Sequence, residues 1–128
     1  MCPESIEKYI IELFERRDEG ALVQKATIEQ CEWKPDLNEC HNNVDFWCRS
    51  NPEYKPVRGW LFYALGYEAD FVLFQQHSVM LTPDNKLIDI TPTKATDAYP
   101  FIIARESDED YFSKDEHLEN GNLVHVYK

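Results

Sequence analysis

The sequence predicts an α+β fold in which N-terminal helices pack on an antiparallel sheet of about five strands. Apolar residues recur every three to four positions over residues 4–18 and 37–50, as in amphipathic helices. After Asn51 and Pro52 the pattern changes to short apolar runs bounded by turn residues, which is typical of strands. The chain has 128 residues, of which 43% are hydrophobic, and shows no linker, so we expect a single domain over 1–128.

Each predicted helix carries boundary signals. The first, residues 4–18, ends before Gly20, which stands where a helix stop is expected. The second begins where Asp36 and Glu39 lie three residues apart, as in a capping box. One apolar stripe then runs along this helix, formed by Leu37, Cys40, Val44, Trp47 and Cys48. Residues 21–34, between the two helices, fit either a helix extension or a strand.

The predicted strands are separated by turn residues, and a short acidic helix precedes the last of them. They cover residues 57–65, 71–82, 86–91, 101–104 and 123–127, with the helix over 108–119. Between the second and third strands, Pro83 and Asp84 fit a type I turn, and Asn85 fits the left-handed position of a three-residue loop. That loop pairs Thr82 with Lys86, which fixes the register of the hairpin.

The hairpin register decides whether His77 and Asp89 can meet. With a three-residue loop both side chains lie on one face of the sheet, diagonal to each other at roughly 7–8 Å between backbones. A two-residue loop would put them on opposite faces, because one step of register reverses every side chain. The sequence therefore favours a pair in which Asp89 orients the imidazole of His77. The alternative is a core histidine, with Asp89 capping the turn at Thr91 and Pro92.

Cys40 lies in the first turn of the second predicted helix. The nucleophile of thiol chemistry is the thiolate, and the unpaired N–H groups and dipole at a helix start lower the pKa of a thiol placed there. The backbone N–H of Cys40 is also a candidate donor to an oxyanion. The alternative is that Cys40 is only a small buried residue of the apolar stripe.

A cysteine at a helix start, a histidine on a strand and an aspartate on the next strand resemble the pattern of papain-like and transglutaminase-like cysteine hydrolases. The segment His77–Pro92, with its Asp-x-Thr-Pro ending, is similar to the histidine strand, turn and following strand of the transglutaminase type. The resemblance covers about residues 36–92 and implies a papain-like/transglutaminase-like core. It implies that Cys40 is the nucleophile, His77 the general base and acid, and Asp89 the residue that orients the imidazole.

The sequence departs from that pattern beside the cysteine. His41 follows Cys40 where an apolar residue is common, and no glutamine lies at the short papain-like spacing before it. The candidate oxyanion donors are therefore Gln30, Asn38 and Gln76. His41 points about 100° away from Cys40 around the helix, so it is a poor base for the thiol. We expect a solvated surface histidine; the alternative is a contact to substrate or a capping contact.

Two further features bear on the site. Trp60 is a candidate wall of a substrate groove, although packing in the core is the usual role of a tryptophan. Cys31, Cys40, His41 and Cys48 lack the short C-x₂₋₄-C spacing of structural zinc sites. We therefore predict no bound metal and no other cofactor.

Charge and cysteine content limit the partners and the location. The net charge of −11 repels phosphate backbones, so we expect no nucleic-acid partner. No apolar stretch approaches the ~20 residues that span a bilayer, and the sequence from Met1 shows no signal peptide, so we expect no membrane partner. Four cysteines without an export signal indicate reduced thiols and a cytoplasmic protein.

The sequence leaves two functions open. The first is a small cysteine hydrolase or acyltransferase that acts on a peptide, a protein or a small amide through an acyl-enzyme. Water as acceptor gives peptidase, amidase or deamidase activity, and an amine gives transglutaminase-like crosslinking. The second is a non-catalytic acidic binding protein, of the inhibitor or immunity type, on the same fold. Selective labelling of Cys40 by a thiol probe near neutral pH favours catalysis, whereas equally slow labelling of the four cysteines favours the binding protein.

Overall fold

The computed structural model describes residues 3–26, 39–64, 71–92 and 99–126. The helices in these ranges are α1 (Pro3–Glu15), α2 (Cys40–Ser50) and α3 (Asp108–Phe112), and 3₁₀ helices follow α1 at Arg17–Glu19 and α3 at Ser113–His117. The strands are β1 (Gln24–Lys25), β2 (Lys55–Ala64), β3 (Phe71–Leu81), β4 (Leu87–Asp89), β5 (Phe101–Ile103) and β6 (Asn122–Val126). This mixture of helices and strands confirms the α+β class.

The strands form one sheet in the order β1-β4-β3-β2-β5, and β6 pairs with β3. The pairs β2–β5, β3–β4 and β3–β6 are antiparallel, as expected. However, β1 runs parallel to β4, with Gln24 beside Ile88 and Lys25 beside Asp89. The sheet in the described residues is therefore mixed, with six strands instead of about five. The sequence left β1 open because two residues are too few to show the alternation that marks a strand.

The β3–β4 hairpin has the predicted three-residue loop. Asn85 adopts the left-handed conformation, with φ of 64°, and the N–H of Thr82 donates to the carbonyl of Lys86 at 2.8 Å. Met80 pairs with Ile88, which is the register that this loop imposes. The register confirms the prediction, and it places the candidate histidine and aspartate on one face of the hairpin.

Helix α2 begins at Cys40 instead of residue 37. Its N-cap is Glu39, which makes no side-chain capping bond and instead accepts a hydrogen bond from the Asn42 amide at 3.2 Å. Asp36, the other half of the predicted capping box, lies outside the described residues. Cys40 is therefore the first residue of the helix, within the first turn as predicted. Across the described ranges, no helix is long and apolar enough to cross a membrane.

The chain packs as two compact units, each with its own core. Unit 1 consists of Met1–Ala21, Gly59–Gln76 and Tyr99–Lys128, and unit 2 of Leu22–Arg58 and His77–Ala98. The core of unit 1 is aromatic and aliphatic and contains Ile6, Leu13, Trp60, Val72, Phe74, Ile102, Tyr111 and Leu123. The core of unit 2 is smaller and contains Val44, Trp47, Met80 and Ile90.

In unit 1, strands β2 and β5 approach so closely that Gly59 has no room for a side chain: a Cβ there would lie 2.3 Å from the carbonyl oxygen of Ile102. The hydroxyl of Tyr111 donates to the carbonyl of Gly59 at 2.7 Å. Trp60 is fully buried, donates from Nε1 to the hydroxyl of Tyr9 at 2.8 Å, and packs against Tyr111. The prediction of Trp60 as a groove wall is therefore wrong, because a fully buried side chain cannot contact a substrate.

Candidate active site

The core of unit 2 packs α2 against the hairpin of β3 and β4. Val44 is fully buried and Trp47 nearly so, and both pack with Met80 of β3 and with Ile90, which follows β4. Val44 and Trp47 belong to the apolar stripe predicted for the helix. Because Cys40 lies one helical turn before Val44, this packing brings the start of the helix to the strand residues near Met80.

His77 and Asp89 form the pair that the hairpin register predicts. The Nε2 atom of His77 lies 2.8 Å from Oδ2 of Asp89. Each side chain is only 8% exposed, so the hydrogen bond is shielded from water and strengthened by the low local dielectric constant. With Nε2 bound to the carboxylate, Nδ1 is the ring nitrogen that remains for the thiol.

Asp89 is held by further contacts that the sequence analysis missed. Its Oδ1 accepts a hydrogen bond from the N–H of Thr91 at 3.1 Å, and its Oδ2 lies 3.1 Å from Nζ of Lys25. Lys25 reaches the carboxylate because β1 pairs with β4. Burial raises the pKa of Asp89, but the hydrogen bond and charge of His77 and the charge of Lys25 outweigh burial and lower the pKa below its usual value. The carboxylate is therefore ionised at neutral pH.

The thiol of Cys40 makes hydrogen bonds to two imidazoles, those of His41 and His77. Burial raises the pKa of this thiol, but the two hydrogen bonds and the positive charge on His77 outweigh burial and lower it from 9.0 to about 6. The start of α2 favours a negative charge at the same place. Cys40 is therefore mostly thiolate at neutral pH.

The pKa of His77 changes in the opposite direction. Burial lowers the pKa of this imidazole, but the hydrogen bonds and negative charges of Asp89 and Cys40 outweigh burial and raise it to about 9. The proton that Cys40 gives up is thus carried by His77, and the two groups titrate as a coupled pair. A thiolate beside an imidazolium is the activated form of a nucleophilic cysteine.

His41 is not the surface residue that the sequence predicted. It is half-buried, it bonds the thiol of Cys40, and its Nδ1 is hydrogen-bonded to Oγ of Ser78. Successive residues of a helix point about 100° apart, and the first two of α2 contact two successive residues of β3. Cys40 contacts His77, and His41 contacts Ser78. The imidazole of His41 also bonds the thiol of Cys40.

A series of hydrogen-bonded polar groups, of which Ser78 and Arg58 are buried, supports His41 through its Nδ1 atom. Ser78 is fully buried, and its Oγ accepts a hydrogen bond from Nη1 of Arg58 at 2.9 Å. Nη2 of Arg58 donates to Oδ1 of Asp45, one turn along α2 from His41, at 2.6 Å. One signal in the sequence points to these groups, namely a serine directly after the candidate histidine. None points to Arg58 and Asp45, which lie in different segments and meet only in the folded protein.

Asn43 ties α2 to the segment after β4. It is 2% exposed and donates from Nδ2 to Oγ1 of Thr91 at 3.2 Å. The carbonyl of Thr91 accepts a hydrogen bond from Nζ of Lys25 at 2.9 Å, and its N–H donates to Asp89. Helix α2, strand β1 and the end of β4 are therefore linked by hydrogen bonds around the site.

The structure locates one of the three candidate oxyanion donors. Gln30 and Asn38 lie outside the described residues. Gln76 belongs to unit 1, where its amide is engaged as a donor to Asp115 at 2.8 Å. The backbone N–H of Cys40 keeps its place as a candidate donor, because the first N–H groups of a helix have no intrahelical partner.

Across the described ranges, no group of three or more His, Cys, Asp or Glu side chains is arranged to hold a metal ion. Cys31, one of the four residues weighed as zinc ligands, lies outside those ranges. Cys48 is a free thiol in unit 2, and burial and the charge of Asp45 raise its pKa. Two cysteines of one helix, Cys40 and Cys48, therefore have opposite pKa shifts.

Comparisons of the chain with protein-family models, with curated proteins and with solved structures found no match. A function for this chain therefore has to follow from its own residues and their contacts.

Proposed function

We propose that this protein is a cysteine hydrolase or acyltransferase that acts on an amide, isopeptide or thioester carbonyl through a covalent acyl-enzyme. The main support is the Cys40 thiolate beside the His77 imidazolium, which Asp89 holds at 2.8 Å. Burial alone raises the pKa of a thiol, as it does at Cys48. A lowered pKa in a buried thiol needs specific partners, and such partners are typical of functional sites.

In the proposed reaction, Sγ of Cys40 attacks the carbonyl carbon, the S–C bond forms, and the C=O electron pair moves to oxygen. That pair then returns, the bond to the leaving amine or thiol breaks, and the leaving group takes the proton of the His77 imidazolium. The products are a thioester on Cys40 and neutral His77. Water or an amine then attacks the thioester while His77 accepts its proton, and the departing thiolate restores the ion pair.

Asp89 supports both proton transfers. Its hydrogen bond to Nε2 fixes the ring so that Nδ1 faces the thiol, and its charge stabilises the imidazolium. Lys25 and the N–H of Thr91 hold the two carboxylate oxygens in place. Lys25 is a positioning residue, because it acts on the reaction only through Asp89.

The proposal places the chain among papain-like and transglutaminase-like enzymes. It is supported by the order of Cys40, His77 and Asp89 and by their positions at a helix start and on two antiparallel strands. The proposed substrate is a peptide, a protein or a small amide, and the net charge of −11 favours one that is neutral or basic. Free thiols at Cys40 and Cys48 suit a reducing compartment, and we propose the cytoplasm.

Alkylation by iodoacetamide across a pH series, read by mass spectrometry of the cysteine peptides, tests the proposal. We expect the rate at Cys40 to rise through a midpoint near its pKa of about 6, while the midpoint for Cys48 lies above 9.0. Cys48→Ala serves as the matched control, since it removes the other described thiol of the same helix. Equal, slow alkylation of both cysteines at neutral pH would overturn the proposal of an enzyme and favour the acidic binding protein.

A further inference from the structure

The proposed reaction needs one imidazole for proton transfer, yet two imidazoles contact Cys40. His77 is backed by the carboxylate of Asp89, whereas His41 is backed by the hydroxyl of Ser78. A carboxylate stabilises a protonated ring, while a hydroxyl in contact with a guanidinium does not. The two imidazoles therefore contact the same sulfur atom, but His77 lies next to a negative carboxylate and His41 next to a neutral hydroxyl.

The direction of the hydrogen bonds behind His41 follows from what each group can donate. Arg58 can only donate, so its bond at 2.9 Å occupies a lone pair of Ser78 Oγ. On the other side of the ring, the Cys40 thiolate can only accept, so the His41 nitrogen that bonds it carries a proton. Nδ1 is bonded to Oγ of Ser78, so the nitrogen that donates to the sulfur is Nε2.

Arg58 and Asp45 hold the hydroxyl of Ser78 in place. Arg58 is 8% exposed and donates from Nη1 to Oγ of Ser78. Nη2 of the same guanidinium donates to Oδ1 of Asp45 at 2.6 Å. Because Ser78 is in turn bonded to Nδ1 of His41, the ring is held with its Nε2–H towards the sulfur.

We infer that His41 is a further catalytic residue: its Nε2–H, together with the backbone N–H of Cys40, donates to the oxygen that becomes negative when Sγ attacks. This inference rests on the proposed function. The attacked carbonyl carbon is bonded to Sγ in the intermediate, so its oxygen lies within reach of the donors that surround that sulfur. His41 keeps its proton throughout, and His77 carries out both proton transfers.

Two reactions of the same sulfur separate this role from a structural one. Alkylation by iodoacetamide forms no oxyanion, whereas acetylation by p-nitrophenyl acetate passes through a tetrahedral oxyanion and leaves an acetyl thioester on Cys40. Loss of the His41 bond also raises the pKa of Cys40, so both rates are compared per thiolate, with the thiolate fraction read from the pH profile of alkylation. In His41→Phe we then expect acetylation to fall about 10²–10³-fold, the usual loss for one oxyanion donor, with alkylation changed only a few-fold. His41→Gln, which restores an N–H donor, should recover part of the acetylation rate.

Ser78→Ala carries the same test should the larger phenylalanine not fold, because it removes only the hydroxyl that orients the ring. We expect it to slow acetylation about tenfold and to leave alkylation nearly unchanged. Asn42→Ala is the matched control, since Asn42 is exposed and its side chain bonds Glu39 at the same helix start. Acetylation at the parent rate in His41→Phe, or a parallel loss of both reactions, overturns this inference alone. A parent protein that is never acetylated at Cys40 overturns the proposed function as well.

Discussion

Each unit of this protein buries a cluster of ionisable side chains, and the two clusters shift pKa values with different consequences. In unit 1, Lys114 is 4% exposed, lies 3.0 Å from Oε2 of Glu106, and sits over the ring of Tyr9 at 4.2 Å. Burial and the neighbouring Glu106 raise the pKa of Tyr9. Hydrogen bonds from Tyr9 and Lys114 outweigh burial and lower the pKa of Glu106. Both shifts preserve the protonation states that these groups have in water at neutral pH.

In unit 2 the shifts invert the usual protonation states. The pKa of Cys40 falls to about 6 and that of His77 rises to about 9. At neutral pH the thiol is therefore deprotonated and the imidazole is protonated. The unit 1 cluster therefore creates neither a thiolate nor an imidazolium at neutral pH. A cluster that inverts the usual protonation states maintains a nucleophile and a proton donor in the resting protein, which is what covalent catalysis requires. Substitutions in the unit 1 cluster should therefore change stability, whereas substitutions in the unit 2 cluster should change the reactivity of Cys40.

The largest effect is expected at the two residues that share the proton. Cys40→Ala removes the sulfur, so acetylation by p-nitrophenyl acetate at this position should be abolished. His77→Ala removes the positive partner of the thiolate, so the midpoint of Cys40 alkylation should move from about 6 towards the ordinary 9.0. Acetylation at neutral pH should fall about 10²–10⁴-fold in this variant. An unchanged alkylation midpoint in His77→Ala contradicts the ion pair.

The second-largest effect is expected for Asp89→Asn. The amide can donate to Nε2 and so favour the tautomer in which His77 holds its proton on the wrong nitrogen, which should lower the acylation rate about 10²–10⁴-fold. Lys25→Met is the milder control, because Lys25 is 56% exposed and touches the reaction only through Asp89. We expect a loss of about tenfold or less from it. Equal effects of the two variants would show that Lys25 does more than position the carboxylate.

The part of this site that the sequence predicts is the part fixed by short-range rules. The order Pro83, Asp84 and Asn85 determines the hairpin loop, and the loop determines that His77 and Asp89 share a face. The helix pattern likewise places Cys40 in a first turn. Each of these inferences depends on residues that are close in sequence.

The parts that the sequence missed depend on contacts between distant segments. Lys25 reaches Asp89 only through a parallel pair of strands, and Arg58 reaches Asp45 only through the folded core of unit 2. The direction in which a side chain leaves a helix also did not determine its contacts. His41 was expected at the surface, but a half-buried position beside Ser78 brings its ring back to the thiol.

A substitution in the unit 1 cluster should cost stability and leave the chemistry intact. Lys114→Met keeps most of the length of the side chain but removes the charge next to Glu106, which should lower the free energy of unfolding by about 1–3 kcal/mol. Urea unfolding measures this loss. The pH midpoint of Cys40 alkylation should stay at about 6, because every described contact of that thiol lies in unit 2. A shifted midpoint would show that the charge of Lys114 acts on the Cys40 thiol.

The smallest predicted effect is a pH dependence of stability that appears only when the cysteine is removed. The raised pKa of His77 contributes stability that is present below 6.5 and lost as pH rises through about 9. The lowered pKa of Cys40 contributes stability that is present above 9.0 and lost as pH falls through about 6. Between 6.5 and 9.0 the two slopes cancel, because folding moves one proton from Cys40 to His77 and binds none.

Cys40→Ala removes the pH dependence of stability that comes from the thiol and keeps the one that comes from His77. His77 retains its bond to Asp89 at 2.8 Å, so we expect its pKa in the folded variant to stay above 6.5, and the folded state then binds more protons than the unfolded one. The free energy of unfolding should then fall with rising pH, by about 1.4 kcal/mol for each unit by which that pKa exceeds 6.5. Urea unfolding across this range measures the slope, and Cys40→Ala combined with His77→Ala should restore a flat profile. A parent protein with the same slope as Cys40→Ala would show that its thiol and imidazole do not exchange a proton on folding.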